Sequence, residues 1–236
     1  MSNQKIGRMR KPETETRIGL FGGTFNPIHL GHLQAASRVM TQLSLTSVLF
    51  IPAAIPPHKA LDGIATASDR LEMIRLAISD KPGFAVSEVE LNRAGPSYTI
   101  DTVTHFQSGN AGEVQYYLIV GLDAFLEMDT WKSYKTLISK IPLVILARPD
   151  IASSGQMDIR IRVLTFLQQK ISPDFVFSAG LNCFCCADYQ PLSVVRGGFR
   201  ALCATVIRER IRSGAPIDTL VPALVGTFIR RKGLYR

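Results

Sequence analysis

RIGLFGGTFNPIHLGH, residues 17–32, decides the reading of this 236-residue chain. Its first half is a short apolar run that ends in Gly22 and Gly23, the pattern of a buried strand running into a tight turn. From Leu30 to about Leu43 the spacing becomes helical, with Leu33, Ala36, Met40 and Leu43 near one face. In an open α/β sheet a ligand binds beyond the carboxyl end of such a strand. Gly22 and Gly23 let backbone approach it where a side chain would obstruct. The helix start offers unpaired N–H groups and the positive end of a dipole, which suits an anion. His29 and His32 stand three apart, so they share a face, and either becomes cationic beside a polyphosphate. The segment matches neither GxGxxG nor GxxxxGK[ST]. An HxxH pair by itself reads as two surface histidines. Two glycines, a strand before, a helix after and HxGH together point to a site.

Outward from this segment the alternation continues. SVLFIP (47–52), FAVSEVEL (84–91), VQYYLIVG (114–121) and PLVILARP (142–149) read as strands, and DFVFSAG (174–180) as the last one. Between them, DRLEMIRLAIS with Ser68 as its cap, SYTIDTVTHFQ, and DIRIRVLTFLQQKI read as helices, followed by TVIRERIRSG and a final helix at about 221–232. Strands alternating with helices give an α/β domain with a mainly parallel sheet covered on both faces. Residues 1–16 read as a flexible lead-in and 17–236 as a single domain with a basic helical C-terminal part from about 204. Residues 179–203 have no legible secondary structure.

Composition narrows the function classes. Apolar residues make up 46% and charged residues 19%, which excludes a wholly disordered chain. No apolar run approaches the ~18 residues of a membrane span. The polar N-terminus lacks the apolar centre of a secretory signal, so the expectation is a cytoplasmic protein. The net charge is +8, and residues 151–236 hold twelve Lys and Arg against five Asp and Glu. That excess suits an anionic partner, although charge alone favours a plain solvated helical face, and the basic C-terminal part would serve a subunit contact in a homo-oligomer as easily as ATP. Of the four cysteines three crowd into CFCC, which is not the paired CxxC spacing of a structural zinc site, and ordinary thiols are expected there.

GGTFNPIHLGH resembles the signature of the nucleotidyltransferases related to class I aminoacyl-tRNA synthetases. Within them the chain resembles the nicotinate-nucleotide adenylyltransferase family. IPAAIPPHK (51–59), DRLEMI (69–74), ELNRAGPSYTIDT (90–102), GLDAF (121–125), Trp131, ARP (147–149) and ATVIRERI (204–211) match the family's blocks in order. The family's late motif reads Ile-Ser-Ser-Thr or Ile-Ser-Ala-Thr. Here it is Leu202-Cys203-Ala204-Thr205, so a thiol replaces the first hydroxyl.

The resemblance implies a Rossmann-like, doubly wound fold and adenylyl transfer from ATP to nicotinate mononucleotide, with Mg²⁺ accompanying ATP and no dedicated protein metal site. It places Gly22, Gly23, Thr24, Phe25, His29, His32, Lys59, Gly121, Asp123, Thr205 and Arg208 around ATP, with His29, His32 and Arg208 acting on the phosphates. It places Tyr98, Thr99 and Trp131 around the pyridine ring, and Arg148 as a weaker phosphate contact. The residues themselves allow blander roles. Trp131 is the kind of lone Trp that packs a core, Asp123 and Thr205 are good helix caps, and Lys59 is a surface lysine. Another nucleotidyltransferase, acting on nicotinamide mononucleotide or pantetheine phosphate, remains open. So does a basic nucleic-acid-binding module, although the basic residues lack an interleaved aromatic platform, and neither nucleic acid nor membrane is an expected partner.

Overall fold

The computed structural model describes residues 16–55, 63–109, 114–147, 158–197 and 202–236. β1 (Thr16–Gly23) leads into α1 (Leu30–Gln42), and β2 (Ser47–Pro52), α2 (Ala67–Ile78) and β3 (Phe84–Val86) complete the first half. α3 (Thr99–Gly109), β4 (Val114–Gly121), α4 (Leu122–Leu126), a 3₁₀ turn (Met128–Thr130), α5 (Tyr134–Lys140) and β5 (Leu143–Ala147) follow. α6 (Ile159–Lys170) precedes three more strands, β6 (Val176–Ser178), β7 (Cys183–Cys186) and β8 (Tyr189–Arg196). The chain closes with α7 (Ala204–Arg212) and α8 (Ala223–Lys232).

These strands form one sheet in the order β3-β2-β1-β4-β5-β8-β7-β6. Pairing is parallel from β3 across to β8 and antiparallel in β8-β7-β6. Alternation along each central strand sends side chains to two apolar layers. Phe21, Phe50, Val144 and Leu146 join α1, α2, α7 and α8 on one face. Leu20, Ile51, Leu118 and Ile145 join α3, α5 and α6 on the other. Each such buried side chain contributes roughly 1.5–3 kcal/mol relative to leaving it in water. The two-sided burial explains why the central strands read as continuous apolar runs. The doubly wound α/β architecture is therefore as the sequence implied.

Local readings need correction where short polar residues compete. Thr66, not Ser68, caps α2, because its hydroxyl accepts the Asp69 N–H at 3.1 Å and bonds the Asp69 carboxylate. The strand expected over 84–91 stops at Val86, and Val89–Asn92 turn, with Asn92 N–H bonded to the Glu88 carbonyl. The segment Val176–Ser178 is a strand but not the last. The illegible stretch after it is a hairpin in which CFCC forms β7. Alternation puts Cys183 and Cys185 on one side of that strand with their sulfurs 3.3 Å apart, and burial pushes the Cys183 thiol up to about 11. Among the described residues, no helix is long and apolar enough to cross a membrane.

The strand order places the site. After β1 the chain moves outward to β2 and β3, then returns to the other side of β1 as β4. That reversal is a topological switch point, and the crevice beyond the carboxyl ends of β1 and β4 is where such sheets bind ligands.

Candidate active site

β1 and β4 stay paired as far as Phe21↔Ile119 and then part. A cavity opens on each side of the gap. The first, of about 430 Å³, is lined by the turn Gly22–Asn26, by His29, Gly31 and His32, by Gly121, and by Leu202–Thr205 and Arg208. The second, of about 280 Å³, is lined by Ile51, Glu90, Ser97, Tyr98, Thr99, Thr102, Trp131 and Lys132. Gly22, Gly23 and Thr24 belong to both. A Cβ placed on Gly22 or on Gly121 would meet nothing within 4 Å, so the glycines keep this junction open.

The two histidines are fixed by backbone. His29 is the N-cap of α1, and its Nδ1 accepts the His32 N–H at 3.3 Å. His32 returns the bond, its Nδ1 accepting the His29 N–H at 3.3 Å. This reciprocal capping box stacks the rings with centroids 3.6 Å apart. With both Nδ1 atoms accepting, the proton of each neutral ring sits on Nε2. Phe25, at φ 48°, lies edge-on beneath His32 at 5.1 Å and is buried, so it supports the ring. The unpaired helix N–H groups expected here are partly taken: Leu30 N–H bonds the Leu220 carbonyl, and His32 N–H bonds His29.

Arg208 completes the first cavity from α7. Its Nη1 donates to the Asn26 carbonyl at 2.9 Å and its Nη2 to Thr205 Oγ1 at 3.2 Å. Thr205 does not cap α7 as the sequence suggested. Cys203 occupies the N-cap position, and its side chain makes no capping hydrogen bond. The family's serine at that position would be a better cap, because a hydroxyl accepts an N–H far better than a thiol does.

In the second cavity Trp131 follows the 3₁₀ turn and is half-buried. The Tyr98 ring faces the Lys132 ammonium at 4.6 Å, and Lys132 pairs with Asp101 at 3.0 Å. Ser97 Oγ accepts the Ala54 N–H at 2.9 Å, which pins the loop after β2 to the start of α3. Glu90 is buried beside them and accepts a 2.6 Å hydrogen bond from Thr102. Burial raises its carboxyl above the ordinary range, against the hydroxyls of Thr102 and Ser97 and the charge of Arg93, which pull it down.

Three residues that hold this arrangement were not singled out from sequence. Arg70, 1% exposed, donates to the carbonyls of Thr24 (2.9 Å), Ala65 (3.1 Å) and Ala54 (3.4 Å), and burial lowers its pKa. Asn26 accepts from Ala65 N–H (3.0 Å) and from the Tyr235 hydroxyl (2.8 Å) and donates to the Gly63 carbonyl (3.1 Å). Burial pushes the Tyr235 phenol up, so it remains a donor. Glu90 is the third. A signal existed for Arg70: it falls on the apolar stripe of α2 with Ile74 and Ala77, where a charge is out of place.

The structure therefore brings together Gly22, Gly23, Thr24, Phe25, His29, His32, Gly121, Thr205 and Arg208 around one cavity, and Tyr98, Thr99 and Trp131 around the other. Asp123 is exposed in the first turn of α4 and lines neither. Lys59 and Arg148 lie outside the described residues.

Comparison with known proteins agrees with this picture. A family model described as Cytidylyltransferase-like matches residues 20–184. The chain is 35% identical over 225 residues to a probable nicotinate-nucleotide adenylyltransferase of Desulfatibacillum aliphaticivorans, covering 93% of this chain and 99% of that one. It is 37% identical over 220 residues to a protein of the same description from Trichlorobacter lovleyi, with the same coverage. Among solved structures, Plasmodium falciparum nicotinic acid mononucleotide adenylyltransferase complexed with NaAD superposes with a TM-score of 0.69 at 14% identity, over 93% of this chain and 97% of that chain, a likeness of fold. The chain belongs to the nicotinate-nucleotide adenylyltransferase family within the cytidylyltransferase-like proteins.

Proposed function

We propose that this protein transfers the adenylyl group of ATP to nicotinate mononucleotide, giving deamido-NAD and pyrophosphate, a step of NAD biosynthesis in the cytoplasm. The observation that carries the reading is the junction at Gly22–Thr24, where a cavity walled by two imidazoles and a guanidinium meets one walled by an indole and a phenol ring. ATP takes the first cavity and the pyridine ring stacks on Trp131 in the second. The mononucleotide phosphate then lies at the junction, beside the α-phosphorus. Both cavities belong to one chain, so a homo-oligomer is not needed for the chemistry.

The reaction needs little proton chemistry. The attacking phosphate is largely ionised at neutral pH, since its second pKa is ~6. One of its oxygens forms a bond to the α-phosphorus. The bond from that phosphorus to the oxygen bridging to the β-phosphate breaks, and pyrophosphate leaves with the electron pair. Catalysis is then alignment plus stabilisation of charge on the phosphates. Nε2–H of His29 and His32 and the guanidinium of Arg208 are the donors for that charge, already held in place by backbone bonds. Of the two residues expected to hold the nicotinate carboxylate, Tyr98 has its backbone N–H bonded to the Pro96 carbonyl at 2.9 Å, so the Thr99 N–H is the backbone donor for it.

Mg²⁺ enters with ATP as part of the substrate. Among the described residues no carboxylate lines the first cavity, and no group of three or more His, Cys, Asp or Glu is arranged to hold a metal. The donor set does not fit a resident ion, so no step is assigned to one; Mg²⁺ usually keeps waters and bridges phosphates.

The test is pyrophosphate release by the purified protein from ATP and Mg²⁺ with nicotinate mononucleotide, nicotinamide mononucleotide or pantetheine phosphate. A strong preference for the nicotinate form is expected. Equal turnover of acid and amide would sink the substrate assignment, and no release with any acceptor would sink the reaction.

A further inference from the structure

The antiparallel end of the sheet leaves a gap. β7 pairs with β8 only from Cys186↔Tyr189 to Cys183↔Ser193. β5 lines the inner side of β8 as far as Arg196. Beyond Ser193, then, β8 has a neighbour strand on one side only among the described residues. A cavity of about 210 Å³ sits there. Arg38 and Gln42 reach it from the end of α1, Arg160 from the start of α6, Asn182 from the turn before β7, and Arg196 from β8 itself. It shares no lining residue with the two cavities at the switch point.

Its charge is one-sided. Three guanidiniums from three elements converge on one hollow, and the nearby carboxylate is Asp158. That carboxylate is already engaged: it binds Arg196 and accepts the Arg160 backbone N–H at 2.9 Å. The Arg160 guanidinium, whose charge like that of Arg196 also acts on the Asp158 carboxylate, lies 4.7 Å over the Phe177 ring and 3.2 Å from Asn182 Oδ1. Because that oxygen accepts, the Asn182 amide nitrogen remains a donor. Among the described residues Arg38 and Gln42 have no hydrogen-bond or ion-pair partner. Arginines that merely solubilise a surface gain by spreading apart, since like charges repel. Here they are gathered in a concavity whose other polar side chains are amides. The matching ligand accepts hydrogen bonds only, carries at least two negative charges and offers several oxygens to forked donors. At about 210 Å³ it is smaller than either cavity at the switch point and shares no lining with them, so it suits a small anion better than a whole nucleotide.

We propose that this cavity is a second anion site that binds a small phosphate-bearing anion, of the class of inorganic phosphate and pyrophosphate. It does not depend on the function proposed above.

Isothermal titration of the full chain with sodium pyrophosphate and, separately, with inorganic phosphate tests it. Each titration is run at low salt, alone and with a non-hydrolysable ATP analogue present. The comparison is between the wild type and two variants, the double variant Arg38→Gln, Arg160→Gln and the single variant Arg38→Glu. In the wild type one equivalent of anion is expected to bind even with the analogue present, and more weakly as salt rises. In both variants that equivalent is expected to weaken at least tenfold, with thermal unfolding and turnover unchanged. Binding of pyrophosphate alone assigns the site to a diphosphate. Binding of both anions shows that one phosphoryl group suffices. Equal binding by wild type and both variants, or no binding by the wild type, overturns the proposal. The readout is the difference between wild type and variants, so it stands even if the analogue fails to bind and the proposed activity is wrong.

Discussion

On one side of Gly22–Thr24 the wall is two stacked imidazoles and a guanidinium; on the other it is an indole, a phenol ring and a buried carboxylate. The first cavity gets its order from backbone. Each histidine is locked by the amide of the other, and Arg208 by the Asn26 carbonyl. The second gets its order from side chains, through Ser97, Thr102 and Arg93 gathered on Glu90. Under the proposed function the difference follows from what each would hold. Phosphate oxygens need donors at fixed points, which a helix start supplies. A flat ring needs a plate, which any well-packed aromatic supplies, provided its loop does not drift. This contrast predicts that damage on the imidazole side falls on turnover and damage on the indole side falls on binding.

The largest effect is expected for His32→Ala. It removes one of the phosphate donors of the proposed function and also the acceptor for the His29 N–H. Loss of one donor to developing charge typically costs about 10²–10³-fold in kcat. We expect a loss of that size with the KM for nicotinate mononucleotide within twofold. If steady-state kinetics instead show KM for the mononucleotide rising while kcat holds, the division between the two walls is broken.

Arg70→Met should act on both sides at once. The guanidinium ties Thr24, which borders both cavities, to Ala54 and Ala65. Its removal orphans carbonyls that the fold has buried, at about 2–4 kcal/mol of stability by the usual cost of unmatched buried groups. Urea unfolding measures that loss, and KM for ATP and for the mononucleotide should rise together. A variant that moved one KM alone would show that the cavities are not braced by a common charge.

How much of this was legible in the sequence depended on the kind of force involved. Periodicity and glycine turns are local, so β1, α1, β2, β4 and β5 could be read directly from residues 17–52 and 114–147. Residues 179–203 resisted because CFCC and YQPLSVVR pair antiparallel across a tight turn with a register shift at Phe184 and Cys186, and no local pattern announces that pairing. In the site, His29, His32 and Arg208 stood inside motifs, and they meet around one cavity. Asp123 stands in a motif as well, and in the first turn of α4 it is exposed, outside the lining of both cavities. Arg70, Glu90 and Tyr235 matter through partners 46, 12 and 209 residues away, and such partners exist only after folding.

Trp131→Ala tests the indole side in isolation. Stacking of a base on an aromatic side chain is worth roughly 1–3 kcal/mol, so KM for nicotinate mononucleotide should rise about tenfold while kcat and KM for ATP change little. Trp131→Phe should recover most of the affinity, since it keeps a plate. Kinetics in which both variants behave like the wild type would remove Trp131 from the ring site. On the imidazole side a smaller gain is expected from Cys203→Ser. A hydroxyl restored at the N-cap of α7 should raise stability by about 0.5–1 kcal/mol, read as a higher urea midpoint. No change would mean that Arg208, not the cap, sets the position of that helix.

The smallest and most diagnostic effect concerns Glu90. Burial holds its carboxyl above the ordinary 4.5, so the folded chain keeps a proton that the unfolded chain has already released. Stability therefore falls as pH rises from about that ordinary value through the raised folded one, and levels off above it. Glu90→Gln cannot titrate, yet its amide oxygen can still accept from Thr102. The variant should therefore gain on the wild type as pH increases from 4.5 towards neutrality, and the gap should then stay constant. Urea midpoints of the two proteins measured across that range decide it. Parallel curves would mean that Ser97, Thr102 and Arg93 compensate the burial fully. The ring cavity would then be braced by an ordinary carboxylate, and its order would cost the protein nothing at neutral pH.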